Sequence, residues 1–169
     1  MGKIIIAPQY KDISGPLVYI SGPIYGAPDW HSEAIGMIGI NDSVHIASPR
    51  RAIETNSVFS DIEMSEQIEW ADYYMKRAIM HGIVLFWFPK PINVIEQGGY
   101  AHTSRIELGR AMEMVDSKDI HVVVGIQDGF IDTQSIKKLL AYTNPNAPVV
   151  NTLHDACEKA LNMCNTLVL

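Results

Sequence analysis

The segment Gly82-Ile-Val-Leu-Phe-Trp-Phe88 carries no polar side chain at any position. A strand with one face in water alternates apolar and polar residues, whereas a strand covered on both faces runs apolar throughout. This run restricts the chain to folds in which a sheet lies between two layers. Leu17-Val-Tyr-Ile-Ser21, Val44-His-Ile-Ala-Ser48, His121-Val-Val-Val-Gly125 and, more weakly, Pro148-Val-Val-Asn151 repeat the pattern.

Helical periods lie between these runs. From Asp61 to Met80, the residues Ile68, Ala71, Met75, Ala78 and Ile79 recur at helical spacing. From Ser104 to Val115, the residues Ile106, Leu108, Ala111, Met112 and Val115 form a second stripe. Asp29 to Gly39, Asp132 to Tyr142 and Thr152 to Met163 also read as helices. Alternating strands and helices make βαβ units. The expected fold is a flavodoxin-like or Rossmann-like α/β domain, a doubly wound five-stranded parallel sheet with helices on both faces, spanning residues 1–169 as a single domain. Met1 to Gly15 reads as an edge strand or an arm.

Composition narrows the function classes. Of 169 residues, 47% are hydrophobic, too many for a disordered chain. Nineteen acidic against thirteen basic residues give a net charge of −6, which disfavours binding a nucleic-acid polymer. No apolar run approaches the roughly 20 residues that cross a bilayer. The apolar core Ile4-Ile5-Ile6 is too short for a secretory signal. Cys157 and Cys164 stand seven residues apart on one expected helix, about 10 Å, too far for a disulfide. Reduced thiols and a cytoplasmic location are the expectation. The six histidines show no metal-ligand spacing, so neither metal nor cofactor is expected.

In doubly wound sheets, ligands bind beyond the carboxyl ends of the strands. Ser21-Gly22-Pro23-Ile24-Tyr25-Gly26 follows the first run and is neither a dinucleotide fingerprint nor a P-loop. It reads as a plain β-to-α turn or as a close backbone approach to a ligand. Ser48-Pro49-Arg50-Arg51 follows the second, either an anion grip or a solvated pair of arginines. Phe86-Trp87-Phe88-Pro89 ends the third; its aromatics pack in the core or stack on a base. The stretch Pro89 to His102 is long for a loop in a compact domain and reads as a cover for the site. Ser104 and Glu107 match the capping-box pattern, which predicts a helix start at Ser104. Glu107 then either returns a hydrogen bond to the cap or, in the first turn, stays ionised at the positive end of the helix dipole and acts as a nucleophile.

Tyr19-Ile20-Ser21-Gly22-Pro23, Trp30, Ser48-Pro49-Arg50-Arg51, Gln67-Ile68-Glu69-Trp70, Phe86-Trp87-Phe88-Pro89 and Arg105-Ile106-Glu107-Leu108-Gly109 occur in that order. Together they resemble the nucleoside 2-deoxyribosyltransferase family over Leu17 to Gly125, about two-thirds of the chain. The resemblance implies transfer of 2-deoxyribose between nucleobases through a covalent intermediate. It places the nucleophile on Glu107, the tyrosine that hydrogen-bonds it on Tyr19, and the adjoining glycine on Gly22. Substrate contacts are expected from Ser21, Gly22, Pro23, Trp30, Phe88, His102, Ser104 and Arg105. The implied partners are a deoxynucleoside and a free nucleobase, and the implied assembly is a homo-oligomer, a dimer or higher, with shared active sites.

The chain departs from the family pattern at Met80-His81-Gly82, where many relatives carry Ala-Asp. The group that handles the base proton is then open among His81, His102, Arg105 and Glu96. Pro23 and Tyr25 stand where related nucleotide hydrolases carry phosphate-binding Ser and Arg, which favours a nucleoside over a nucleotide unless Arg50 or Arg51 clamps a phosphate. Two alternatives remain: a deoxynucleoside or deoxynucleotide N-glycoside hydrolase using the same glutamate, and a non-catalytic nucleotide-binding module.

Overall fold

A computed structural model describes residues 2–51, 60–92, 99–115 and 121–167. Six strands, β1 (Ile4–Ile6), β2 (Leu17–Ser21), β3 (His45–Ser48), β4 (Gly82–Phe88), β5 (Val122–Ile126) and β6 (Val149–Val150), form one all-parallel sheet in the order β1-β3-β2-β4-β5-β6. Without β1 the order is that of flavodoxin-like sheets, with the reversal between β2 and β4. Five helices connect and cover it: α1 (Trp30–Ile38), α2 (Asp61–His81), α3 (His102–Met114), α4 (Thr133–Thr143) and α5 (Leu153–Thr166). α1 packs with α5 on one face, and α2 packs with α3 on the other. Every residue of β2, β4 and β5 is buried, as their largely apolar runs require.

The sheet has six strands rather than the expected five. Ile4–Ile6 pairs in parallel with Ile46–Ser48 and adds an edge. Three residues are too few for a periodicity signal. His45 clips this segment to β3: its Nδ1 accepts the Lys3 N–H at 3.0 Å and its Nε2 donates to the Ser14 carbonyl at 2.8 Å. The arm that follows crosses to α2. Trp70 Nε1 donates to the Gln9 carbonyl at 2.7 Å, the Lys11 N–H donates to the Tyr74 hydroxyl at 2.9 Å, and the Tyr10 ring lies against Tyr73 and Tyr74.

Helix starts follow their caps where a cap is free to act. Asp29 accepts the Ser32 N–H ahead of α1, and Thr152 accepts the Asp155 N–H ahead of α5. Ser60 and Glu63 form a full capping box at the start of α2. The box expected at Ser104 and Glu107 does not form. α3 begins two residues earlier at His102, and its N-cap Ala101 has φ 57°, with no side-chain cap. Ser104 is buried inside the first turn and Glu107 turns into the protein. The apolar stripes also shift. Ile68 and Ile106 are exposed, while Trp70 and Tyr74 take core positions on α2.

Candidate active site

Strand alternation sends Tyr19 and Ser21 to the same face of β2, the face that α2 and α3 cover. Ser21 is the last residue of β2, and its Oγ donates to Glu107 Oε2 at 2.6 Å. This bond joins the carboxyl end of the sheet at its reversal point to the second turn of α3. Above it opens a cavity of about 260 Å³. Gly22, Pro23 and Tyr25 line one side, Gln67, Ile68 and Ala71 of α2 another, and His102, Ser104 and Glu107 the third.

Gly22 is required by close approach. A Cβ there would lie 2.2 Å from the Trp87 carbonyl oxygen and 2.6 Å from the Trp30 ring. Trp30 is buried beneath the turn and holds it from below, its Nε1 donating to the Pro23 carbonyl at 2.9 Å. Ala101 holds the left-handed conformation at the rim; such strain in a residue with a Cβ clusters at functional sites.

Glu107 is not held ionised by the helix terminus, because it lies beyond the first turn, where the dipole has faded. Burial raises its carboxyl above the ordinary value, while the Ser21 hydroxyl and the nearby Arg110 pull the other way. Arg110 itself pairs with Asp72, which also binds Lys76 at 2.7 Å and ties α2 to α3. The Tyr19 hydroxyl is fully buried and makes no hydrogen bond among the described residues. Burial, and next the Glu107 carboxylate, push its phenol well above the usual range, with the Ser21 hydroxyl opposing. The expected hydrogen bond from Tyr19 to Glu107 is therefore absent, and Ser21 takes that position: its hydroxyl is nearer the strand end and reaches the carboxylate.

Of the expected substrate contacts, Gly22, Pro23, His102 and Ser104 line the cavity with Glu107. Ser21 stands behind Glu107 and Trp30 stands under the turn. Phe88 is not a wall of the cavity: its ring packs against Phe86 and Phe130 in the core. Arg105 turns away as well, pairing with Asp132 at 2.9 Å and lying over the Phe130 ring. His81 ends α2 immediately before β4 begins, at the opposite edge of the sheet from the cavity. Glu96 and residues 93–98 of the expected cover lie outside the described residues. Gln67 opens the motif Gln67-Ile68-Glu69-Trp70. Its side chain joins the Pro49 carbonyl at 2.8 Å to Arg51 at 3.1 Å and forms part of the wall.

The arginines of the second strand end are engaged elsewhere. Arg50 pairs with Asp29 at 3.4 Å, and Arg51 is held by Gln67 and Glu66 of α2. Among the described residues, the exposed side chains of His154, Asp155 and Glu158 on α5 bring ligand atoms within 4.8 Å of one another, apart from the lining of the cavity. Among the described residues no helix is long and apolar enough to cross a membrane. No protein-family model matches the chain, and no curated protein matches it.

Proposed function

We propose that this chain transfers 2-deoxyribose between the nucleobases of deoxyribonucleosides, with Glu107 forming the covalent intermediate. The single observation that carries this reading is the Ser21–Glu107 contact at the floor of the cavity. It gives one oriented carboxylate at the carboxyl edge of the sheet, on the residue that the motif order marks as nucleophile.

The chemistry asks for such a group. Cleavage of an N-glycosidic bond passes through an oxocarbenium-like state, which a carboxylate beside the anomeric carbon stabilises and then traps. Ser21 fixes one carboxylate oxygen and leaves the other for C1′. The Glu107 oxygen bonds to C1′ as the C1′–N bond breaks and its electron pair leaves with the base. The incoming base then displaces Glu107, and two inversions give net retention. Pro23, Ile68 and Ala71 offer an apolar wall to a base ring. Among the described lining residues there is no lysine or arginine, which suits an uncharged nucleoside better than a nucleotide.

The test is incubation with a deoxynucleoside and a second base, with every product resolved by chromatography. Exchange that vanishes in both Glu107→Ala and Glu107→Gln, with the fold retained, supports the reading. Full exchange in either variant overturns it. Release of free base without an acceptor, at a rate rivalling exchange, would make the chain a hydrolase; binding without turnover would make it a binding module.

A further inference from the structure

Exchange of bases needs a second group besides the nucleophile. The departing base must gain a proton and the entering base must lose one, and one side chain that moves its proton both ways satisfies both half-reactions. Resting on the deoxyribosyl-transfer reading, we propose that His102 is that group.

Three titratable side chains line the cavity among the described residues: Tyr25, His102 and Glu107. Glu107 is committed to C1′ during the half-reactions. A phenol, with an ordinary pKa near 10, is a poor base close to neutrality. Histidine is the side chain that ordinarily changes charge between pH 5 and 8, so it can serve as acid and base in one cycle. The other sequence candidates are removed by position. His81 lies at the far edge of the sheet. Arg105 is turned toward Asp132 and Phe130, and a guanidinium does not give up its proton.

Helix geometry sets the spacing. His102 opens α3 and Glu107 follows five residues later, so the two stand about 7.5 Å apart along the helix axis. A sugar with C1′ against Glu107 directs its base away from the carboxylate, and His102 stands at the rim of the same cavity, beyond it. His102 is exposed, which lets it recover protons from solvent between turnovers.

The steps balance. In the first half-reaction Glu107 bonds to C1′, the C1′–N pair stays on the base, and the imidazolium of His102 gives its proton to a ring nitrogen of the base. The products are a neutral base, a glycosyl ester and a neutral imidazole. In the second, that imidazole takes the N–H proton of the incoming base as its nitrogen bonds to C1′ and Glu107 leaves as carboxylate.

The experiment compares two donors in the full chain and in His102→Ala. Deoxyinosine needs protonation to leave. 7-Methyl-2′-deoxyguanosine already carries a positive charge on its base and leaves without a proton. In the first turnover, His102→Ala is expected to slow release of the base from deoxyinosine by about 10²–10⁴-fold and release of the methylated base by less than about threefold. Equal losses on both donors, or no loss on either, overturn the role of His102. A melting curve establishes that the variant is folded. If the unaltered chain turns over neither donor, the deoxyribosyl-transfer reading itself fails, an outcome distinct from failure of His102 alone.

Discussion

Ser21 Oγ holds Glu107 Oε2 at 2.6 Å across 86 residues of sequence. The bond favours the ionised carboxyl, in opposition to the burial that raises it. Ser21→Ala removes the favourable part and leaves the burial. The carboxyl should rise further once that bond is gone. The acid limb of the kcat/KM profile for base exchange should move to higher pH. An unmoved limb would mean that the serine does not set the charge of Glu107.

Glu107 also makes a prediction about stability. Its folded carboxyl titrates above the ordinary value of 4.5. Between those two values the native chain keeps a proton that the unfolded chain has released, so stability falls as pH rises across the window. Glu107→Gln removes this titration. The Tm of the variant should exceed that of the parent at pH 7 and approach it near pH 4. A difference of equal size at both pH values would rule out burial of the charge as its origin.

The Tyr19 hydroxyl offers a sharper separation of stability from activity. It is buried and has no hydrogen-bond partner within bonding geometry among the described residues, and removing such a polar group is close to neutral for folding. Tyr19→Phe should keep the melting stability within about 1 kcal/mol. If the hydroxyl is held for the substrate-bound site, exchange falls about tenfold, equivalent to about 1.4 kcal/mol of barrier. Lost stability with unchanged exchange would make Tyr19 a packing residue.

How far the site was legible can be judged from these same residues. The unbroken run of β4 placed the sheet between two helical layers, and the order of the strand ends directed attention to Gly22 and Glu107. Ser21 was in the motif, but its role follows from a long-range contact with α3. Its one sequence signal was the two-residue offset from Tyr19, which puts both on one face. Ser104-Arg105-Ile106-Glu107 and Ser60-Asp61-Ile62-Glu63 carry the same capping pattern, yet the box forms in the second alone. In the first, Glu107 meets Ser21 instead, so a tertiary contact outcompetes the local one. Phe88 and Arg105 turn from the cavity for a related reason: Phe130 collects both from beyond β5, and nothing near them in sequence announces it.

His31 stands on α1, on the other side of the sheet from α2 and α3. It is 1% exposed, lies 3.7 Å from the Trp30 ring centre to centre, and has no partner for either ring nitrogen among the described residues. Burial first, then Arg50, lowers it from 6.5 to about 3, with Asp29 opposing. The unfolded chain takes up this proton near 6.5 and the native chain does not, so stability is lost as pH falls from 6.5 toward 3. His31→Leu should move acid unfolding to lower pH and leave Tm at pH 7 equal or higher. An unchanged acid midpoint would assign acid sensitivity to other groups.

The arm from Gln9 to Lys11 has a consequence for the order in which the molecule is assembled. Its anchors are Trp70 and Tyr74, and the centre of the Trp70 ring in turn lies 6.2 Å from that of Tyr19, two residues before Ser21 on β2. During synthesis the earliest residues must wait for β3 and then for α2 before they have anything to bind, and Ser21 waits longer still for α3. Such distant pairings are slow to close because the intervening chain must first be gathered. The arm's bonds to α2 and the Ser21–Glu107 bond at the floor of the cavity thus each join segments that leave synthesis far apart in time.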